Sequence, residues 1–412
     1  MKLPEIKDID SVVNSAIEYY NEKLKRPNNK EIHKINRLFF DFINEKGYKY
    51  CVYGGTAIDF WNGDITPDQQ IDVDIYVNEN YLMVSKEIAD YFHEKGYSGI
   101  RVVTGFKPTT RKIFIEHSDE ALFDINYIPD WVWKNIKTYE KNGIKFIEPN
   151  YLKIDQYRII SYSVFEFGFK IEKAYNRLLK LEENYPIDND SDNNGDNGIM
   201  SLVDIEKKLV KHDDKVIEKL INSGLITMSD ASMFAYYTEL SNLDNSDNSD
   251  NSNFQLRIDN LPPYYFTYDI DKLVSALDKE GLRYELVTKG HRKYSVTVIL
   301  GYCKIEYIDA RGGLFVDRIH GNKLLCKALL LHHLYFEYYA SGKNVLYRSM
   351  ISHLVDTGLD HDISYIEVYY NKTKPSITAM RIPGVKTYKP DTKKQINNYN
   401  EVFNTVKKKL NH

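Results

Sequence analysis

The chain is poor in cysteine: Cys51, Cys303 and Cys326 are the only three in 412 residues, and no two are close in sequence. That excludes a disulfide-stapled scaffold and leaves no spacing suited to zinc; a reducing, intracellular setting is expected. No run of about 18 apolar residues occurs, so no membrane-spanning helix is expected. The opening stretch "MKLPEIKDID" lacks the apolar core of a secretory signal. Nor is there an excess of one charge, since the formal net charge is −4, which does not advertise nucleic-acid binding. Two low-complexity tracts distort that balance. "DNDSDNNGDNG" (188–198) and "NLDNSDNSDNSN" (242–253) hold seven aspartates between them, so the rest of the chain is net positive. Asn/Asp/Ser tracts of this kind have too little apolar surface to join a core and read as loops.

What is present is enough apolar sequence for more than one core, and the length implies two or three domains. Residues 30–47 carry Ile35, Leu38, Phe39, Phe42 and Ile43 at helical spacing, ended by Gly47. "YKYCVY" (48–53) reads as a strand, Gly54-Gly55 as a turn, "TAIDFW" as a helix start and "IDVDIYV" (71–77) as a second strand. A helix over 80–95 follows, then a hairpin of "RKIFIEH" (111–117) and "LFDINYIP" (122–129), then a helical region from about 151 to 184. The second half repeats this order. "KVIEKLINSG" (215–224) matches the first helix, and "LITMSDASMFAYY" (225–237) matches the strand–turn–helix, with Ser229-Asp230 where the glycines stood. "FQLRID" (254–259) falls where "IDVDIY" fell, placing Gln255 and Arg257 near the two aspartates. "RKYSVTVIL" (292–300) and "CKIEYID" (303–309) match the hairpin, placing Lys304 near Asp124. The second copy is therefore expected to have lost the first copy's chemistry. Asp269 and Asp271 open a helix and read as capping residues. The chain divides into an N-terminal segment 1–29, a first domain 30–185, the loop 186–198, a second domain 199–340 and a C-terminal extension 341–412 with a basic tail.

The chemistry-bearing set lies in the first domain. On a strand, residues two apart face the same way, so Asp72 and Asp74 share a face while Val73 and Ile75 point to the core. Two neighbouring carboxylates repel unless a cation lies between them, and hard oxygen donors suit Mg²⁺ or Mn²⁺. Asp124 alternates with Phe123 and Ile125 on a neighbouring strand and supplies a third carboxylate; Asp119, in a turn, and Asp130, before Trp131, are weaker candidates. Gly54 and Gly55 permit a backbone bend and close approach of a phosphate at the start of the following helix. Each signal alone has an ordinary explanation, a solvated strand face or a plain turn. Their order, strand–Gly-Gly–helix–DxD strand–third Asp, favours two-metal nucleotidyl transfer.

"YGGTA…IDVDIYV…FDINYIP" resembles the DNA-polymerase-β-like nucleotidyltransferase superfamily. More narrowly, "NYLKIDQYRIIS" followed by "KIEKAYNRLLKL", and "MFAYY" opening a second unit, resemble the poly(A) polymerase catalytic subunits of poxviruses and giant DNA viruses. The resemblance implies an α/β (α+β) nucleotidyltransferase fold followed by a degenerate copy. It implies template-independent addition of AMP from ATP to RNA 3′ ends with two Mg²⁺ or Mn²⁺ ions. Asp72, Asp74 and Asp124 would bind the metals. Gly54 and Gly55 would hold the triphosphate, with Thr56 adding a hydroxyl. An intracellular site is implied, in the virion or host cytoplasm if the source is viral, with no membrane and with room for a homodimer or a processivity partner. Lys170, Lys173, Arg177 and Lys180 form a stripe on one helix face, opposite Ile171, Ala174, Tyr175 and Leu178. It is either a contact to triphosphate or RNA, with Lys173 and Arg177 on the nucleotide and Lys170 and Lys180 on RNA phosphate, or a solvated face. Arg158 is a further phosphate candidate. Adjacent His332 and His333 point apart on a helix and read as core; "HRK" (291–293) reads as a solvated turn. Two rivals stand: an enzyme of the same fold acting on a small molecule or protein, and an inactive RNA- or partner-binding scaffold.

Overall fold

A computed structural model describes residues 29–64, 72–105, 109–116, 118, 120–161, 164–187, 198–212, 214–238, 255–259, 261–267, 269–287, 297–308, 314–319, 322–356 and 365–367. The N-terminal segment, most of the first Asn/Asp-rich tract, all of the second that precedes Gln255, Asp119, residues 291–293 and the basic tail lie outside the described residues.

The first unit begins with α1 (Asn29–Lys46), whose Ile32, Ile35, Phe39 and Ile43 are buried at helical spacing. Then follow β1 (Tyr50–Tyr53), α2 (Gly54–Trp61), β2 (Val73–Val77), α3 (Tyr81–Glu94), β3 (Arg101–Thr104), β4 (Thr110–Phe114) and β5 (Phe123–Tyr127). After the short α4 (Asp130–Trp133) come the hairpin β6 (Thr138–Lys141) and β7 (Ile144–Ile147). The seven strands form one sheet in the order β3-β4-β5-β2-β1-β7-β6. Burial alternates along β2, with Val73, Ile75 and Val77 buried and Asp74 and Tyr76 half-buried. The apolar face packs on α1, where Phe39 stacks on Phe123 with ring centroids 3.9 Å apart. Asn80 caps α3 by accepting from the Leu82 and Met83 N–H groups, and Val84, Ile88 and Phe92 turn one stripe of that helix into the same core.

The single helical region expected over 151–184 is two helices, α5 (Pro149–Ser161) and α6 (Val164–Asn184). β3 and β6 are four residues long and exposed throughout, so they carry no hydrophobic periodicity in the sequence, and β7, though mostly buried, is as short.

The second unit comprises α7 (Leu202–Lys208), β8 (Leu209–His212), α8 (Lys215–Asn222), α9 (Asp230–Tyr237), β9 (Gln255–Ile258), β10 (Tyr264–Thr267), α10 (Ile270–Lys279), β11 (Glu285–Val287), β12 (Thr297–Leu300) and β13 (Cys303–Tyr307). Its sheet runs β10-β13-β12-β11, with β10 parallel to β13 and the other pairs antiparallel. The β2-β5-β4-β3 half of the first sheet has the same order and the same directions. β5 and β13 also share one burial pattern.

This arrangement corrects one reading. β9 does not occupy the place of β2. It pairs with β8 in a separate two-stranded sheet, and β10 takes that place. β10 was missed because "YYFT" is buried at all four positions, and so shows no alternation, and follows two prolines. By register, Asp74 pairs Asp124 in the first unit and Tyr264 pairs Lys304 in the second. The positions of Asp72 and Asp74 are therefore held by Pro262 and Tyr264, not by Gln255 and Arg257, while Lys304 does stand where Asp124 stands.

The chain continues through β14 (Leu314–Ile319), β15 (Asn322–Leu325), α11 (Lys327–Ala340), α12 (Val345–Asp356) and β16 (Tyr365–Glu367). α11 is buried almost all round, His332 and His333 included, and it joins the units. Its Leu330, Leu334 and Tyr335 share one core with Ile154 and Tyr157 of α5 and Leu178 of α6. At the same junction the Lys153 ammonium, fully buried, donates to Glu182 at 2.5 Å, to the Tyr185 carbonyl at 2.7 Å and to the Tyr335 hydroxyl at 3.4 Å. No helix among the described residues is long and apolar enough to cross a membrane.

Candidate active site

The candidate site is built on one cross-strand row. Register pairs Tyr53 of β1 with Asp74 of β2, Asp74 with Asp124 of β5, and Asp124 with Lys112 of β4. Side chains in such a row leave the sheet on one face. The next row along that face, Tyr76, Asn126 and Thr110, supports the first. Tyr76 stacks on Tyr53 at 3.7 Å between ring centroids, and Asn126 Nδ2 donates to the Tyr53 hydroxyl at 3.3 Å. Burial, and then the Asp74 charge, push the Tyr53 phenol well above its ordinary pKa, so it stays protonated beside the carboxylates.

Asp72 lies just before β2 and is exposed. Its backbone is fixed by Thr56, whose hydroxyl donates to the Asp72 carbonyl at 2.7 Å from a buried position. The Thr56 hydroxyl thus secures the strand that carries the aspartates; the sequence reading had it adding a contact to a triphosphate.

Gly54 opens α2 with φ +67°, and a Cβ there would collide with the Asp74 carboxylate. Backbone and carboxylate are in contact, which glycine alone allows. No side chain caps α2, so its first N–H groups point out of the turn. A Cβ on Gly55 would lie 3.2 Å from Arg177 Nη1, so the guanidinium stands over the turn. Arg177 is held there by Asp59 of α2, Nη2 to Oδ2 2.5 Å, and Lys180 pairs with Asp64 at 2.7 Å.

The basic stripe therefore divides. Arg177 and Lys180 dock α6 onto α2 and the residues after it, and Arg177 is placed over the glycines. Lys173 is exposed. Lys170 is on α6, but its side chain lies outside the described residues. Arg158 is tied to Asp155 one turn earlier at 3.1 Å. Asp155 acts electrostatically on Tyr53, Tyr76 and Tyr151, so the pair lies by the tyrosine wall, a placement that an i, i+3 pairing in "DQYR" could have suggested. Asp130 sits exposed in the first turn of α4, and Asp269 caps α10 by accepting from the Lys272 N–H at 3.1 Å; neither enters the site.

Lys112 was not found in the sequence. Its ammonium is 3.0 Å from Asp124 Oδ2. Burial disfavours its charge, but Asp124 first, then Asp72 and Asp74, outweigh that and raise its pKa. The other Asp124 oxygen, Oδ1, is buried with no hydrogen-bond partner. No three His, Cys, Asp or Glu side chains among the described residues are gathered closely enough to hold a metal ion. Even so, the donors fit a hard divalent cation in kind. An orphaned buried carboxylate oxygen, a second carboxylate in register beside it and a third two residues upstream form an oxygen-only set.

The second unit shows what the same framework does without that set. Asp230 opens α9 where Gly54 opens α2, and its carboxylate accepts from the Ala231 N–H at 2.9 Å and the Tyr264 N–H at 3.4 Å. A fixed side-chain carboxyl group thus fills the turn. The row reads Tyr264, Lys304, Ile299, with the Lys304 ammonium 5.8 Å from the Tyr264 ring centroid.

Residues 38–166 match the sequence model of a family described as the poly(A) polymerase catalytic subunit. A protein of Acanthamoeba polyphaga mimivirus, provisionally named a poly(A) polymerase catalytic subunit, is 27% identical over 237 residues. That match takes in 54% of this chain but 38% of the mimivirus protein, so the chain spans well under half of that relative's length. The crystal structure of the Megavirus polyadenylate synthase superposes with a TM-score of 0.56 at 19% identity, covering 86% of this chain and 76% of that one. In family match, sequence and fold, the chain is similar to the poly(A) polymerases of giant viruses, and its fold is the nucleotidyltransferase fold.

Proposed function

We propose that this chain is a template-independent poly(A) polymerase that transfers AMP from ATP to the 3′ end of RNA. The observation that carries the reading is the Asp74–Asp124 pair, in register on adjacent parallel strands with Asp72 just upstream, set against a glycine turn that opens a helix. The turn would receive the triphosphate on the N–H groups of α2, with Arg177 as cationic clamp. Asp72 and Asp74 would hold both divalent ions, Mg²⁺ or Mn²⁺, and Asp124 would join Asp72 on one of them. When bound, the ions would lower the pKa of the RNA 3′-hydroxyl and neutralise charge on the phosphates. The 3′-oxygen would attack the α-phosphorus of ATP; the new P–O bond forms as the bond to pyrophosphate breaks. Gly54 keeps the backbone against Asp74, Thr56 fixes Asp72, and Tyr53 and Asn126 hold the carboxylate row level.

ATP and an RNA 3′ end are the substrates implied, and a viral source with action inside the virion or host cell is part of the reading. A second copy of the chain, or a separate processivity factor, is compatible with it. Arg158, Lys170, Lys173 and Lys180 are proposed RNA or phosphate contacts of lesser weight than Arg177, whose guanidinium stands over the glycine turn. Asp124→Asn should abolish nucleotide addition to a labelled oligoribonucleotide while leaving the thermal melt in place. Arg177→Gln should raise the KM for ATP by about tenfold, the weight of one charge-assisted contact. Full activity in Asp124→Asn would refute the assignment.

A further inference from the structure

Lys112 has no role in the reaction just described, yet it closes one end of the carboxylate row. It faces Asp124 directly across β4 and β5, and its ammonium is on Asp124 Oδ2 at 3.0 Å. Its side chain is 36% exposed while that of Asp124 is 14% exposed, so the lysine is the more open to solvent of the two. Asp72 and Asp74 also act on it. Among the described residues the row is not closed into a three-donor metal set, and this ammonium lies on one of its carboxylates.

Two consequences follow from charge alone. Three carboxylates without a cation repel one another, and an ammonium among them relieves part of that repulsion. A divalent ion entering the row meets a positive charge already bound to one of its ligands, and the two cannot share Asp124 Oδ2 without strong repulsion.

We propose that Lys112 is a positioning residue that acts as the resident counter-cation of the site. It holds Asp124 in place while the metal is absent and must release it, swinging outward on its flexible stem, before Asp124 can serve as a ligand. Lys112 thereby sets the metal affinity, keeping it weaker than the three carboxylates alone would give. This rests on the reading of Asp72, Asp74 and Asp124 as a metal site.

The test needs neither nucleotide nor RNA. Mn²⁺ is titrated into the full chain and its Lys112→Met, Lys112→Gln, Lys112→Arg and Asp124→Asn variants, with free Mn²⁺ read by electron paramagnetic resonance. Lys112→Met and Lys112→Gln should bind Mn²⁺ about tenfold tighter or more, since a competing and repelling charge is gone. Lys112→Arg, which keeps the charge, should not gain affinity. Without metal, the two neutral variants should melt below the parent, and saturating Mn²⁺ should close that gap. A merely structural lysine would lower the melt without tightening Mn²⁺ binding. Unchanged or weaker Mn²⁺ binding in both neutral variants, with Asp124→Asn still abolishing the parent's site, overturns the role of Lys112 and leaves the metal site standing. Parent-like binding in Asp124→Asn, or no binding by any form, overturns the metal site and the role together.

Discussion

At the residue scale, Gly54 shows how tightly backbone and chemistry are joined here. Its φ of +67° suits glycine, and its Cα lies where any side chain would push the Asp74 carboxylate aside. Gly54→Ala should cost only about 1–2 kcal/mol of stability from left-handed strain. Displacement of the carboxylate by even a fraction of its width should lower kcat on the order of a hundredfold. Stopped-time extension assays beside a denaturant melt separate the two effects; a rate within twofold of the parent would mean that Asp74 is not where the chemistry happens. Asp74, Asp124 and the glycines were legible in the sequence because strand alternation and a Gly-Gly turn are local patterns. Lys112 and Asp59 were not. A lysine in a hairpin strand reads as surface until register sets it across from Asp124, and the Asp59–Arg177 pair joins residues 118 positions apart. Thr56 was noticed, but the direction of its hydroxyl depends on where Asp72 lies.

At the element scale, helices α5, α6 and α11 are tied by a buried charge. Lys153 donates to Glu182, which also accepts from the Tyr157 hydroxyl at 2.7 Å and the Tyr335 hydroxyl at 3.0 Å. Removing one member of such a pair leaves the other charge buried and uncompensated. Lys153→Met should therefore destabilise the fold by roughly 3–5 kcal/mol. Urea unfolding gives the number, and a change under 1 kcal/mol would show that the network is dispensable. Asp230 offers a second test, through pH. Burial, partly offset by backbone hydrogen bonds, raises its pKa from 3.8 to about 7. Between those values the unfolded chain has lost the proton while the folded chain keeps it. Stability on this account falls as pH rises through that window, by up to about 4 kcal/mol, and is flat above it. Asp230→Asn should remove that slope, measured as urea midpoints from pH 4 to pH 7.5; an unaltered slope would assign it to other groups. Helices α1, α3, α8 and α10 were readable from spacing, but α5 and α6 read as one, and β9 and β10 were exchanged, because a strand covered on both faces carries no period-two signal.

At the scale of the whole molecule, two sheets of the same partial topology are joined through a further core built on α5, α6 and α11 instead of standing apart. Ile154, Tyr157 and Leu178 of the first unit's helices pack with Leu330, Leu334 and Tyr335 of α11, and the buried Lys343–Glu148 pair at 2.9 Å crosses the same junction. The domain boundary expected from the sequence near residue 185 cuts through a contiguous apolar cluster. A fragment ending at Ile187 should thus expose that cluster and aggregate, or melt well below the full chain; a soluble fragment with the parent's melting temperature would show that the units are independent. The order of elements in the two halves was readable, since helix–Gly and hairpin signals recur. Their shared core was not, because it depends on α11, whose all-round burial hides its facing.

The central claim is tested most directly by offering the purified chain a short labelled RNA, Mg²⁺ or Mn²⁺, and each of the four nucleoside triphosphates separately, with Asp72→Ala/Asp74→Ala as control. The account predicts a ladder of products with ATP and none in the control. No extension with any nucleotide, or an equal ladder from the control, would contradict it.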